Sequence, residues 1–307
     1  MTDVRVMAGT DRRRDRWRRW LAETAGFARA MADRSEQRRL ERIYLLSDTH
    51  NWLGEQTRYL NMGYWRNPAG TLDEASAELA RLVGQHAELG PGLRVVSVGA
   101  GYGEENLLWR QEFGVTDGVG VEISSHQRHA ATERAAELGL GEDVTFTAGT
   151  AAELPLPDAS CDRVISLESA LHFPSRREFF AEAARVLAPG GRIVLADIIL
   201  KESVYRRLRR LPLRHRVFPD GLFAPGTLAE ALRQDGFEDV TVTVITEGVF
   251  EPFARYVARR RRSTEYRRIH PALRLVYSPP AARTLGRYCD YVIAVAERRE
   301  DAGDSAR

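Results

Sequence analysis

A histidine, two carboxylates and a glycine-rich turn stand out as residues able to do chemistry. His172 and Glu168 follow one short apolar run, and Asp197 ends another. An imidazole titrating near neutrality suits general-base work on a hydroxyl. A carboxylate just past a strand is not needed for packing and is costly to bury alone, which makes Glu168 a second candidate for handling a proton or a cation. The plainer alternatives are a packing histidine at 172, and at 168 a carboxylate that bonds nearby backbone or ligand.

The turn is Gly99-Ala100-Gly101-Tyr102-Gly103, directly after the apolar Val95-Val96-Ser97-Val98. Glycines there let backbone approach a ligand with no Cβ in the way. Glu122 ends the next apolar run, where a carboxylate can accept from both hydroxyls of a ribose. A dinucleotide fingerprint wants Gly or Ala at the sixth position of the turn; this chain has Glu104, whose charge would repel a pyrophosphate at a helix start. S-adenosyl-L-methionine carries adenosine without phosphate and escapes that repulsion. The pattern therefore favours the sulfonium cofactor over NAD.

Apolar runs and helical periodicity alternate around these residues. Strands are expected at 93–98, 118–122, 144–147, 163–167, 192–199, 240–245 and 288–295. Helices are expected from Thr71, with Glu74 completing a capping box, to about 88, and at 104–113, 124–138, 175–187 and 227–234. Such alternation implies an α/β fold: a Rossmann-like doubly wound, mostly parallel sheet with an antiparallel last strand. Residues 11–46 read as an Arg-rich helical cap. The expected organisation is a cap and cofactor-closing segment over 1–70, a core over 71–300 and a disordered tail over 301–307. An Arg-rich insertion at 201–224 follows the fifth strand. The Trp17–Met31 stretch and this insertion are expected to wall the acceptor pocket. The insertion's arginines either grip an anionic acceptor or form a solvated face.

Composition narrows the class. The net charge is +2, and Lys201 is the sole lysine among 45 Lys and Arg residues, so no broad basic footprint points to nucleic acid. Cys161 and Cys289 are the only cysteines, giving neither a disulfide framework nor zinc spacing, as in a reducing cytoplasm. His126 and His129 are one helical turn apart and are expected to face solvent; no metal site is expected. No apolar run is long enough to span a bilayer, and the start lacks a signal peptide's apolar core.

The motifs together resemble the class I S-adenosylmethionine-dependent methyltransferases. Gly99-Ala100-Gly101-Tyr102-Gly103 is similar to their first motif. Leu187-Ala188-Pro189-Gly190-Gly191 resembles the turn before their fifth strand, and Leu154-Pro155-Leu156-Pro157 with Cys161-Asp162-Arg163-Val164 the approach to the fourth. Asn61-Met62-Gly63-Tyr64-Trp65, Ser166-Leu167-Glu168-Ser169-Ala170-Leu171-His172 and Asp197-Ile198-Ile199 look like the macrolide sugar O-methyltransferases within that family. The likeness spans residues 59 to 200 or so.

The resemblance implies antibiotic biosynthesis or other secondary metabolism, a small-molecule acceptor, and O-methylation of a polyketide or its sugar. C-methylation of a prenyl diphosphate is the alternative, leaning on Glu168; a nucleic-acid methyltransferase or a non-methylating cyclase is more distant. Homodimerisation is compatible with it. It implies that Gly99, Ala100 and Gly101 carry the methionine and ribose side of the cofactor. Glu122 then holds the ribose, Ile123 packs on adenine, Gln127 contacts the cofactor, and Thr150 and Ala151 face the adenine edge. Leu167 belongs to the same set, with Tyr64 and Trp65 closing over the methionine end. His172 and Asp197 act on the acceptor hydroxyl. Ser97 stands where many relatives have the Asp that serves the methionine amino group.

Overall fold

Strands whose side chains alternate between two buried faces organise this chain. The computed structural model describes residues 53–210 and 223–300, with Arg18, Leu21, Ala22, Thr24 and Ala25. Its sheet has seven strands: β1 (Arg94–Val98), β2 (Asp117–Val121), β3 (Val144–Thr147), β4 (Cys161–Leu167), β5 (Leu187–Leu200), β6 (Phe237–Val244) and β7 (Cys289–Arg298). Their order is β3-β2-β1-β4-β5-β7-β6. The first five pair in parallel, and β7 runs antiparallel to both β5 and β6. The order reverses between β1 and β4, so their carboxyl ends open a crevice where doubly wound sheets bind ligands.

The helices are α1 (Leu72–His86), α2 (Glu104–Phe113), α3 (Ser125–Glu137), α4 (Arg176–Val186), α5 (Glu202–Leu208), α6 (Pro225–Gln234), α7 (Phe250–Arg260), α8 (Pro271–Val276) and α9 (Pro279–Tyr288). Val96, Val98, Ile193 and Leu195 pack with Phe179, Phe180 and Ala183 of α4 and Leu228 and Leu232 of α6. Val95, Val194 and Ala196 face the other way, onto Leu79 and Val83 of α1, Trp109 of α2 and Phe250 of α7. Both faces are thus covered, as a parallel sheet requires. Local signals set the helix starts. Thr71 accepts from the Glu74 amide while the Glu74 carboxylate accepts from the Thr71 amide, a complete capping box. Ser124 and Ser175 cap α3 and α4.

Strand β5 begins at Leu187, earlier than the apolar run from Arg192 suggests. The Pro189-Gly190-Gly191 stretch stays in the strand, with an irregular register against Cys161 and Arg163.

Contacts divide the chain into two units. One comprises Met1–Leu53 with Arg260–Tyr277; the other, Gly54–Arg259 with Ser278–Arg307. Residues 54–70 group with the sheet in this division. Most of the expected 11–46 helix, Arg214 to Arg216 of the insertion, and the 301–307 tail lie outside the described residues. In the first unit the Thr24 hydroxyl and the His270 imidazole are 3.0 Å apart. No described helix is long and apolar enough to cross a membrane.

Candidate active site

The glycine turn joins β1 to α2. Gly99, Gly101 and Gly103 all have positive φ. At Gly99 a Cβ would stand 2.5 Å from the Ser169 Cβ, so only glycine fits. Ser169 in turn donates to the Val98 carbonyl at 2.7 Å and shares a 2.7 Å hydrogen bond with Ser166. These hydroxyls sew the carboxyl ends of β1 and β4 together.

Glu122 lies just past β2 and is buried. One of its oxygens accepts from the Gly101 amide at 2.9 Å, the other from the Ser124 amide at 2.8 Å. Burial raises its pKa, while the amide bonds and Arg128 oppose the rise. Gln127, in the first turn of α3, is 3% exposed, and its Nε2 has no partner. A buried amide donor without an acceptor is costly, and one beside a carboxylate and a glycine turn suits a polar ligand edge. Ala151 is buried, Ile123 half-buried and Thr150 exposed. These side chains and the glycines of the turn fit the adenosine half of S-adenosylmethionine.

Ser97 donates to Asn106 Oδ1 at 2.8 Å, and both are buried. The hydroxyl thus serves α2, not the crevice, and the Asn106 Nδ2 is left without a partner. Two carboxylates begin α2. Glu104 accepts from the Arg58 amide, and burial with the charges of Glu104 and Glu122 pushes Glu105 up to about 8.

The reacting end gathers His172, Arg176, Asp197, Glu168 and Tyr291, which are linked by hydrogen bonds and by their charges. His172 lies in a short 3-10 turn after β4. It is accessible to solvent yet surrounded by protein. That partial desolvation lowers its pKa; Asp197 opposes the shift and Arg176 adds to it. Asp197 lies near the end of β5. It is fully buried, with Oδ2 accepting from Arg176 Nε and Oδ1 from the Ile198 amide, both at 2.8 Å. Both oxygens of this carboxylate are thus engaged by protein, and its charge opposes the lowering of the His172 pKa. Glu168 Oε2 accepts both the Met62 amide at 2.9 Å and the Tyr291 hydroxyl at 2.8 Å. Burial pushes Glu168 up to about 7. Leu167, its neighbour, is half-buried.

Tyr64 and Trp65 are well anchored. The Tyr64 ring packs where Gly248 has no side chain. Trp65 is 5% exposed, tilted against Tyr256 at 5.2 Å, with its indole donating to the Met62 carbonyl at 2.9 Å. The Trp65 ring is therefore a core element.

Sequence reasoning missed Arg176 and Tyr291. Arg176 is four residues past His172 and opens a helix, a spacing that offered a signal. Tyr291 lies in the last strand and gave none. Among the described residues no group of three metal-ligating side chains occurs.

A methyltransferase domain model matches residues 96–195, from β1 into β5. Erythromycin 3''-O-methyltransferase of Saccharopolyspora erythraea is 34% identical over 243 residues, 76% of this chain and 78% of that protein. The chain belongs to the class I S-adenosylmethionine-dependent methyltransferases. A second relative of this methyltransferase, the 27-O-demethylrifamycin SV methyltransferase of Amycolatopsis mediterranei, is 38% identical over 144 residues, 47% of this chain and 53% of that one. In fold, the methyltransferase resembles the cyclase SpnF, with a TM-score of 0.72 and 23% identity over 87% of this chain and 98% of that one.

Proposed function

We propose that this enzyme methylates an oxygen of a small natural-product acceptor, a hydroxyl of a polyketide or of its sugar, with S-adenosyl-L-methionine as donor. The observation that carries the reading is His172: an accessible imidazole held below its ordinary pKa by its surroundings, in the turn after β4 whose Ser169 and Phe173 stand against Gly99. The names of the two relatives, an erythromycin 3''-O-methyltransferase and a 27-O-demethylrifamycin SV methyltransferase, support the same reading.

Gly99, Ala100 and Gly101 would hold the methionine and ribose side, Glu122 the ribose hydroxyls, and Gln127 Nε2 a cofactor acceptor atom. Ile123, Thr150 and Ala151 would line the adenine, and Leu167 and Tyr64 the methionine end. When bound, the cofactor supplies a methyl group on a positively charged sulfur. His172 removes the acceptor's hydroxyl proton as the oxygen attacks. The surrounding protein, with Arg176 adding to its effect, keeps the imidazole unprotonated at rest, and buried Asp197 stabilises the imidazolium once the proton has moved. Arg176 and Asp197 thus act as a fixed pair behind the base.

The test is incubation with the labelled donor and a panel of polyketide glycosides and prenyl diphosphates, read by mass spectrometry and by NMR of the new methyl. A methyl on oxygen is expected. A methyl on carbon, or a product with no added methyl, overturns the reading.

A further inference from the structure

Residues 55–65 cross the glycine turn as a strap whose backbone is held by carboxylates. Asp73 accepts from the amides of Glu55 at 2.7 Å, Gln56 at 3.1 Å and Thr57 at 3.0 Å. Glu104 accepts from the Arg58 amide at 2.9 Å, and the Tyr59 hydroxyl donates to the Glu104 carbonyl at 3.3 Å. Glu168 accepts from the Met62 amide at 2.9 Å. Between these anchors the strap lies on the turn itself. A Leu60 methyl stands 3.4 Å from where a Gly101 Cβ would be, and the Arg58 guanidinium sits 5.5 Å above the Tyr102 ring.

Glu168 differs from the other anchors. Asp73 and Glu104 sit at helix starts, where carboxylates are favoured anyway. Glu168 sits inside the site, at the carboxyl edge of β4, with φ +52 in a non-glycine residue. Its amide donates to the Ala196 carbonyl at 2.7 Å, which fixes that backbone. Strained backbone and a desolvated carboxylate both oppose folding and persist where function needs a side chain aimed. Here the aim is specific: the strap's Met62 amide and the Tyr291 hydroxyl from β7 converge on one oxygen.

We propose that Glu168 is a positioning residue and not the proton acceptor. It latches the strap onto the glycine turn, and so sets how tightly and for how long the cofactor is held, with Tyr291 fixing its carboxylate. This rests on the cofactor placement of the proposed function and not on the identity of the acceptor atom.

The test uses the full chain in four forms: wild type, Glu168→Ala, Glu168→Gln and Tyr291→Phe. Two readouts need no acceptor: amide hydrogen exchange in peptides covering residues 58–65, and S-adenosylhomocysteine binding by calorimetry with stopped-flow dissociation. Glu168→Ala is expected to speed strap exchange and weaken product binding, each about tenfold, the loss appearing in the dissociation rate. Glu168→Gln keeps a carbonyl for the Met62 amide and should recover most of both losses. Tyr291→Phe should fall between. Unchanged strap exchange in Glu168→Ala overturns the proposal. So does a Glu168→Gln enzyme whose kcat drops about a hundredfold while its exchange and product affinity match the wild type, the pattern of a group that moves a proton. Should the alanine variant fail to fold by circular dichroism, unchanged strap exchange in Tyr291→Phe overturns it equally. If the chain bound no S-adenosylhomocysteine at all, the proposed function would fail, while exchange would still report on the latch.

Discussion

At the scale of single residues, two titrating groups make opposite demands on pH. His172 is held below its ordinary pKa, so it stays neutral to lower pH than an ordinary histidine. The acid limb of kcat should therefore lie below the ordinary histidine range. His172→Ala should abolish that limb and lower turnover by about 10²–10⁴, leaving cofactor affinity nearly intact. A limb that survives in this variant would assign the titration to another group. Glu168 is raised to about 7, so its desolvation cost is absent below its unfolded pKa and fully felt above its folded one. Across that interval the ligand-free protein should lose stability from this group as pH rises, and Glu168→Gln should flatten the slope in urea titrations. A slope unchanged by the substitution would show that burial does not set this carboxyl's pKa. Glu122 is legible from its position after a strand, and Glu122→Ala should weaken S-adenosylhomocysteine binding by about 1.5–3 kcal/mol, read by calorimetry. What sequence could not show is that Asp197 and Glu168 are already engaged. Their partners, Arg176, Met62 and Tyr291, come from other elements, and Met62 and Tyr291 are 106 and 123 positions from Glu168.

Among the elements, legibility follows how local the determining interaction is. The α2 helix and β3 have the bounds their periodicity suggests, and the capping box at Thr71 forms as its spacing requires. Strand β5 departs because it already pairs with β4 at Leu187, ahead of the unpaired Pro-Gly-Gly stretch, and pairing is invisible to a local pattern. The strap is the extreme case. It has little regular structure, and only the carboxylates beneath it define its path. The first turn of α1 carries both the capping box and the strap anchor Asp73, which couples helix stability to strap order. Thr71→Ala should cost about 1 kcal/mol in urea unfolding, a typical cap loss. Asp73→Asn keeps one acceptor oxygen and the helix, so it should loosen residues 55–57 in hydrogen exchange more than it lowers the unfolding midpoint. A midpoint shift with no change in exchange there would mean that Asp73 serves the helix alone.

Over the whole molecule, the proposed cofactor residues fall in one contact unit, Gly54–Arg259 with Ser278–Arg307, which also contains the residues matched by the methyltransferase domain model. The residues before it belong to the other unit. A fold shared across many chemistries leaves acceptor choice to the segments added to it. Removal of residues 1–40 should then separate the two halves of the reaction. Cofactor affinity should stay close to that of the full chain, because none of the proposed cofactor contacts is removed. Saturation at a hundred times Kd should still stabilise the shortened chain by about 2.7 kcal/mol, as mass action requires of any ligand bound only to the folded state. If the segment binds the acceptor, turnover should fall through a higher KM, and through kcat as well if the segment also excludes water. A matched loss of cofactor affinity and turnover would instead make the first 40 residues part of the core's own stability, and acceptor selection would then have to lie in the 201–224 insertion.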